Sequence, residues 1–125
     1  MLRSSLGRAR GLGSAKEGVQ HWWVQRMTAL ALVPLCLWFV ASIVGLAGAP
    51  REEVVAWIGR PVPATLLLLL VAAGFHHSQL GLQVVIEDYV HGEGRKLALL
   101  AIVKGATVLL GALTALSVLR LALAG

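Results

Sequence analysis

Three long apolar stretches are separated by two short polar ones. Met27–Gly48 runs 22 residues without a charge. Pro61–Ile86 runs 26 residues with only neutral polar side chains, counting histidine as neutral. Leu97–Leu119 carries one charge, Lys104, about two turns in. At 1.5 Å per helical residue each stretch can cross a hydrocarbon layer about 30 Å thick. The pattern predicts an all-α integral membrane protein with three transmembrane helices, spanning about 27–48, 62–86 and 97–119 of a single membrane domain, 1–125. Pro34 is expected to bend the first span, which membrane helices tolerate. Pro61 and Pro63 suit a helix start, where a missing N–H does no harm. Ala49–Arg60 and Glu87–Lys96 read as loops, the second turned by Gly92 and Gly94.

The ends of the spans are polar in a directional way. Residues 1–26 form a basic segment, irregular up to Gly18, with a helix expected to begin near Gln20 and to lie at the interface before it enters the bilayer. Trp22 and Trp23 suit the headgroup zone, and Trp57 the opposite interface. Arg3, Arg8, Arg10, Lys16 and Arg26 precede the first span, and Arg95 and Lys96 fill the second loop; Arg51, Arg60 and Arg120 lie on the other side. By the positive-inside rule the N-terminus is cytoplasmic, or in the matrix of an organelle. Lys104 can snorkel back to the near interface. A secretory signal is rejected, because the basic region is too long and the apolar run exceeds the usual core of about 7–15 residues. Leu2–Ala15 fits the composition of an Arg- and Ser-rich organellar presequence.

Composition narrows the class further. Of 125 residues 58% are hydrophobic, and the mean hydropathy is +0.80. The formal net charge of +5 sits at span ends, which speaks for membrane orientation and against nucleic acid. One cysteine, Cys36, excludes an internal disulfide framework and a cysteine-rich metal site. No CxxCH occurs, so covalent c-type haem attachment is excluded. No dinucleotide fingerprint or cysteine cluster is present, so flavin and iron–sulfur chemistry would belong to soluble partners. Three helices are few for an independent channel, and the many Gly and Ala residues in the spans favour close packing with partner helices.

The chemistry concentrates in Phe75–His91. His76 and His77 lie inside an apolar run, where an uncharged imidazole is favoured and is the form that ligates transition metals. Residues three and four apart share a helix face. His77 therefore has Ala73 and Gly74 one turn before it and Gly81 one turn after it, a notch through which a flat macrocycle could reach the backbone. His76 has the bulkier Leu80 and Gln83. His77 is thus the better ligand candidate; the competing reading is a histidine that only hydrogen-bonds a neighbouring helix. Asp88 follows His77 by eleven residues, which returns to the same face roughly 16 Å along the axis. Glu87 and Asp88 stand at a helix C-terminus, where the macrodipole disfavours anions by about 0.3–1 kcal/mol each, so stability alone would not choose them there. Tyr89 fits an interfacial belt, yet beside the acidic pair its phenol could donate a hydrogen bond to a carbonyl ligand while the carboxylate passes protons. Arg26 either snorkels or clamps a cofactor carboxylate.

His77-x-x-x-Gly81, then Gln83, then Asp88-Tyr89-Val90 resembles the smaller hydrophobic membrane anchor, the D-type subunit, of succinate dehydrogenase (respiratory complex II). Gly18–Arg26 followed by Thr28 and Ala29 resembles that family's run into its first helix, and the likeness covers about residues 11–120. The resemblance implies that His77, in the notch made by Gly74 and Gly81, is an axial ligand of haem b iron, with Arg26 near the haem propionates. It implies that Tyr89 hydrogen-bonds a ubiquinone carbonyl, with Asp88 its neighbour in proton delivery. The implied partners are a companion cytochrome b subunit that supplies the second haem ligand, an iron–sulfur subunit and a flavoprotein subunit. The implied setting is a bacterial plasma membrane, ahead of a mitochondrial inner membrane. The chain would be a non-flavin subunit, not catalytic alone, through which electrons reach ubiquinone. The alternatives are the anchor of a quinol–fumarate reductase, a cofactor-free structural or assembly protein, and a small transporter subunit using His76 and Lys104.

Overall fold

A computed structural model describes residues 12–124. They form four helices: α1 (Leu12–Leu46), α2 (Arg51–Ile58), α3 (Pro61–Tyr89) and α4 (Glu93–Ala124). Three are long and apolar enough to cross a membrane: α1 from Gly18 onwards, α3 and α4. The described residues are helical or in short turns, in keeping with the all-α membrane reading. Several hydroxyls within the helices are satisfied locally. Thr65 donates to Pro61 O, Thr114 to Leu110 O and Ser117 to Leu113 O, each at 2.7–2.8 Å, which spares hydrocarbon an unpaired polar group.

The helix limits differ from the expectation in instructive ways. α1 begins at Leu12 and not near Gln20; Ala15, Lys16 and Glu17 are good helix formers that extend it beyond the span. The rest of the basic segment, residues 1–11, lies outside the described residues. The helix runs unbroken through Pro34. Residues 49–60, expected as a loop, contain α2. Pro50 opens it in extended conformation, Glu52 and Glu53 occupy its first turn, and the Gly59 amide closes it on Val55 O at 3.0 Å. Those acids complement the helix dipole. Val54, Val55, Trp57 and Ile58 are half-buried on its inner face, and Trp57 stacks on Trp38 of α1 with ring centroids 5.7 Å apart. The second loop is shorter than expected, because α3 continues through Tyr89 and α4 starts at Glu93. Gly48 (φ +82°) and Gly92 (φ +99°) turn the chain in the left-handed region that glycine adopts without strain.

α3 is the central helix, with α4 against one side and α1 against the other. Both neighbours run antiparallel to it. Thr28 meets His77 and Leu32 meets Gly74 across α1–α3, while Thr107 meets Gln79 and Gly111 meets Phe75 across α3–α4. The N-terminus of α1, the C-terminus of α3 and the N-terminus of α4 therefore share one end of the bundle. Among the described residues only Leu35, Leu67, Leu80 and Ile86 are buried hydrophobics, and large apolar side chains are exposed along every long helix. A core that small cannot hold a soluble domain together; the exposed surface is suited to lipid and to partner helices.

A Cβ on Gly111 would lie 3.5 Å from Phe75 Cγ, an ordinary contact. Gly111→Ala is thus expected to leave stability within about 0.5 kcal/mol. Gly111→Leu must displace the ring, at a cost of about 1–3 kcal/mol. Thermal unfolding of the assembled protein in detergent reads both; equal midpoints would show that α3 and α4 do not approach closely there.

Candidate functional site

His77 is half-buried where α3 meets α1. Its Nδ1 lies 3.1 Å from Thr28 Oγ1, and that hydroxyl also lies 2.8 Å from Val24 O and 3.0 Å from Gln25 O. The other ring nitrogen, Nε2, has no hydrogen-bond partner among the described residues. Nor is it enclosed: among those residues the one buried side-chain N or O atom without a hydrogen bond is Gln25 Oε1. The notch around His77 is lopsided. A Cβ on Gly74 would touch Leu32 at 3.9 Å, whereas a Cβ on Gly81 would meet nothing within 4 Å. The imidazole thus has one nitrogen engaged, one free, and open space on the Gly81 side. That arrangement fits a metal-bearing macrocycle approaching from outside the chain.

Gln25 lies three residues before Thr28, on the same face of α1. An enclosed polar atom without a partner costs about 1–3 kcal/mol, so a donor from a neighbouring subunit or cofactor would stabilise this turn. Among the described residues no three His, Cys, Asp or Glu side chains converge as a metal site. A metal at His77 would need other ligands from elsewhere.

Beyond His77 on α3, Asp88 and Tyr89 occupy the helix's last turn and are exposed. Glu87 is tied back to its own helix, accepting a hydrogen bond from Gln83 Nε2 at 3.1 Å. No such bond holds Asp88 or Tyr89 among the described residues, which leaves this carboxylate and phenol available to a ligand at the end of the bundle.

Arg26 is exposed, with its guanidinium carbon 5.1 Å from the centre of the Trp22 ring. Two residues are about 200° of helix rotation, so Arg26 points away from the Thr28–His77 contact. The structure does not bring it to His77 directly. Trp22 and Trp23 pack edge to face at 5.1 Å. Antiparallel register puts Arg26 of α1 about half a turn from His77 toward Tyr89, and Lys104 of α4 about one and a half turns from it in the same direction. Lys104 lines a small cavity of about 120 Å³ with Gln79, Gln83, Leu100 and Val103. The two histidines are separated. His76 faces the α3–α4 groove, in a cavity of about 300 Å³ with Gln79 and Thr107 among its walls, and Thr107 donates to Gln79 Oε1 at 3.1 Å. Thr28 is the residue that sequence reasoning passed over as a partner of His77. The available signal was a hydroxyl in an otherwise apolar run, three residues after Gln25.

The sequence profile of the family described as "Succinate dehydrogenase/Fumarate reductase transmembrane subunit" matches residues 2–115. The chain is 37% identical over 110 residues to the succinate dehydrogenase hydrophobic membrane anchor subunit of Paracoccus denitrificans, covering 87% of this chain and 85% of that one. It is 36% identical over 89 residues to the corresponding subunit of Rickettsia bellii (strain RML369-C), covering 71% of each. The succinate dehydrogenase membrane anchor subunit of Reclinomonas americana is 30% identical over 92 residues, covering 71% of this chain and 77% of that one. No solved structure matches the chain.

Proposed function

The chain belongs to the succinate dehydrogenase/fumarate reductase transmembrane subunit family, as a membrane anchor of succinate dehydrogenase, and from that premise we propose that it binds haem b and helps form a ubiquinone-reduction site. The observation that carries this reading is the free, unenclosed Nε2 of His77 beside open space at Gly81. His77 would hold the haem iron through Nε2, and a companion cytochrome b subunit would supply the other protein ligand. Haem b, when bound, accepts and returns single electrons. Arg26, about half a turn from His77 in depth, would hold a propionate through its guanidinium.

At the end of the bundle, Tyr89 donates a hydrogen bond to a ubiquinone carbonyl and Asp88 passes protons from the adjoining water. Two electrons from the iron–sulfur subunit and two protons convert ubiquinone to ubiquinol; the flavoprotein subunit oxidises succinate. The curated relatives are named for succinate dehydrogenase, which favours this direction over fumarate reduction. The start of α1 lies on the cytoplasmic side of a bacterial plasma membrane: Arg26, Arg95 and Lys96 share that end of the bundle, and relatives come from Paracoccus and Rickettsia.

Purification in mild detergent tests the reading. The expected preparation contains a flavoprotein, an iron–sulfur protein and a second anchor, and shows haem b absorbance. A colourless assembly that does not respond to quinone-site inhibitors would refute it.

A further inference from the structure

The Thr28 hydroxyl has one proton and three neighbours. Val24 O at 2.8 Å and Gln25 O at 3.0 Å are acceptors that cannot donate. His77 Nδ1 at 3.1 Å can do either. If Thr28 gave its proton to Nδ1, its lone pairs would face two carbonyl oxygens at close range, acceptor against acceptor. With the proton directed to the carbonyls, Thr28 Oγ1 presents a lone pair to the ring, and Nδ1 must bring the hydrogen.

From this geometry we infer that Thr28 is a positioning residue that holds His77 in the Nδ1–H tautomer and keeps Nε2 as the ligating lone pair. The inference rests on the haem reading above. A neutral imidazole has two tautomers, and the other one would place a proton on Nε2, where iron must bind. The orientation of the ring is thereby set by α1, a different helix from the one that carries it. Donation from Nδ1–H also makes Nε2 more basic, which favours ferric over ferrous iron. The hydroxyl is held by its own backbone on one side, so it stays in place with or without the cofactor.

The test uses the assembled complex in mild detergent, as wild type and as Thr28→Val, Thr28→Ser and His77→Ala. Its readouts are haem content during detergent washing, haem midpoint potential by redox titration, and the low-temperature resonance spectrum of ferric haem. Thr28→Val is expected to weaken haem retention roughly 10–100-fold, the usual cost of losing such an outer partner. It is also expected to raise the midpoint potential and shift the ferric spectrum. Thr28→Ser, which keeps the hydroxyl, restores all three. A wild-type potential and spectrum in Thr28→Val would overturn the inference, as would an equal shift in Thr28→Ser. Should Thr28→Val not assemble, Thr28→Ala is read in the same way; failure of both to assemble also overturns it, because Thr28 would then act on the fold first. Unchanged haem in His77→Ala defeats the haem assignment itself. Haem lost there but unmoved by Thr28→Val defeats only the role given to Thr28.

Discussion

Replacing His77 by alanine is expected to abolish haem b in the assembled complex, or to leave a species with altered axial ligation. The change removes an iron ligand outright, so the loss should exceed the roughly 10–100-fold that an outer partner costs. Alanine fits the site without a clash: His77 is half-buried, its flanking turns carry Gly74 and Gly81, and helix propensity rises. Within the chain the variant forfeits the hydrogen bond to Thr28, worth about 0.5–1.5 kcal/mol, which is too little to dissolve the bundle. The measurement is haem content per complex with the reduced-minus-oxidised absorbance spectrum. His76→Ala is the control. His76 lies in the α3–α4 groove, away from Thr28, so its variant should keep haem. Loss of haem in His76→Ala with retention in His77→Ala would exchange the two assignments.

The second large effect belongs to Tyr89→Phe. The phenol projects from the last turn of α3 at 76% exposure, with no hydrogen bond to the described part of the chain. Removing its oxygen should therefore change stability by no more than about 0.5 kcal/mol, as for other surface substitutions. Any larger effect reports on a ligand. A hydrogen bond to an oxygen that gains negative charge on reduction is worth about 1.5–3 kcal/mol, which is roughly a 10- to 150-fold fall in quinone reduction. Electron transfer from succinate to a soluble dye, which bypasses the site, is expected to hold at the wild-type rate. An equal fall in both assays would mean that the variant harms the upstream subunits, and the quinone role of Tyr89 would be lost.

Much of the fold could be read in advance because its cause is local. An apolar run of twenty or more residues with at most one charge has few options in water, so the three long helices follow from Met27–Gly48, Pro61–Ile86 and Leu97–Leu119 alone. The spacing of His77, Gly81 and Asp88 on one helix face is equally local, since α3 is one continuous helix. α2 was less legible. Eight residues carry too short a periodic signal, and Arg51, Glu52 and Glu53 look like loop until Trp57 is seen stacked on Trp38.

By itself the sequence determined the membrane class, the number of long helices and the candidate ligand. These depend on transfer of side chains between water and hydrocarbon, a property each residue carries wherever it sits. Tertiary structure alone decided which way each polar group faces. It set Thr28 against His77 across 49 positions of chain, turned His76 into the groove with α4, and placed Lys104 beside Gln79 and Gln83. Those outcomes turn on the rotation and register of helices packed side by side, which are fixed by side chains that meet from distant parts of the chain.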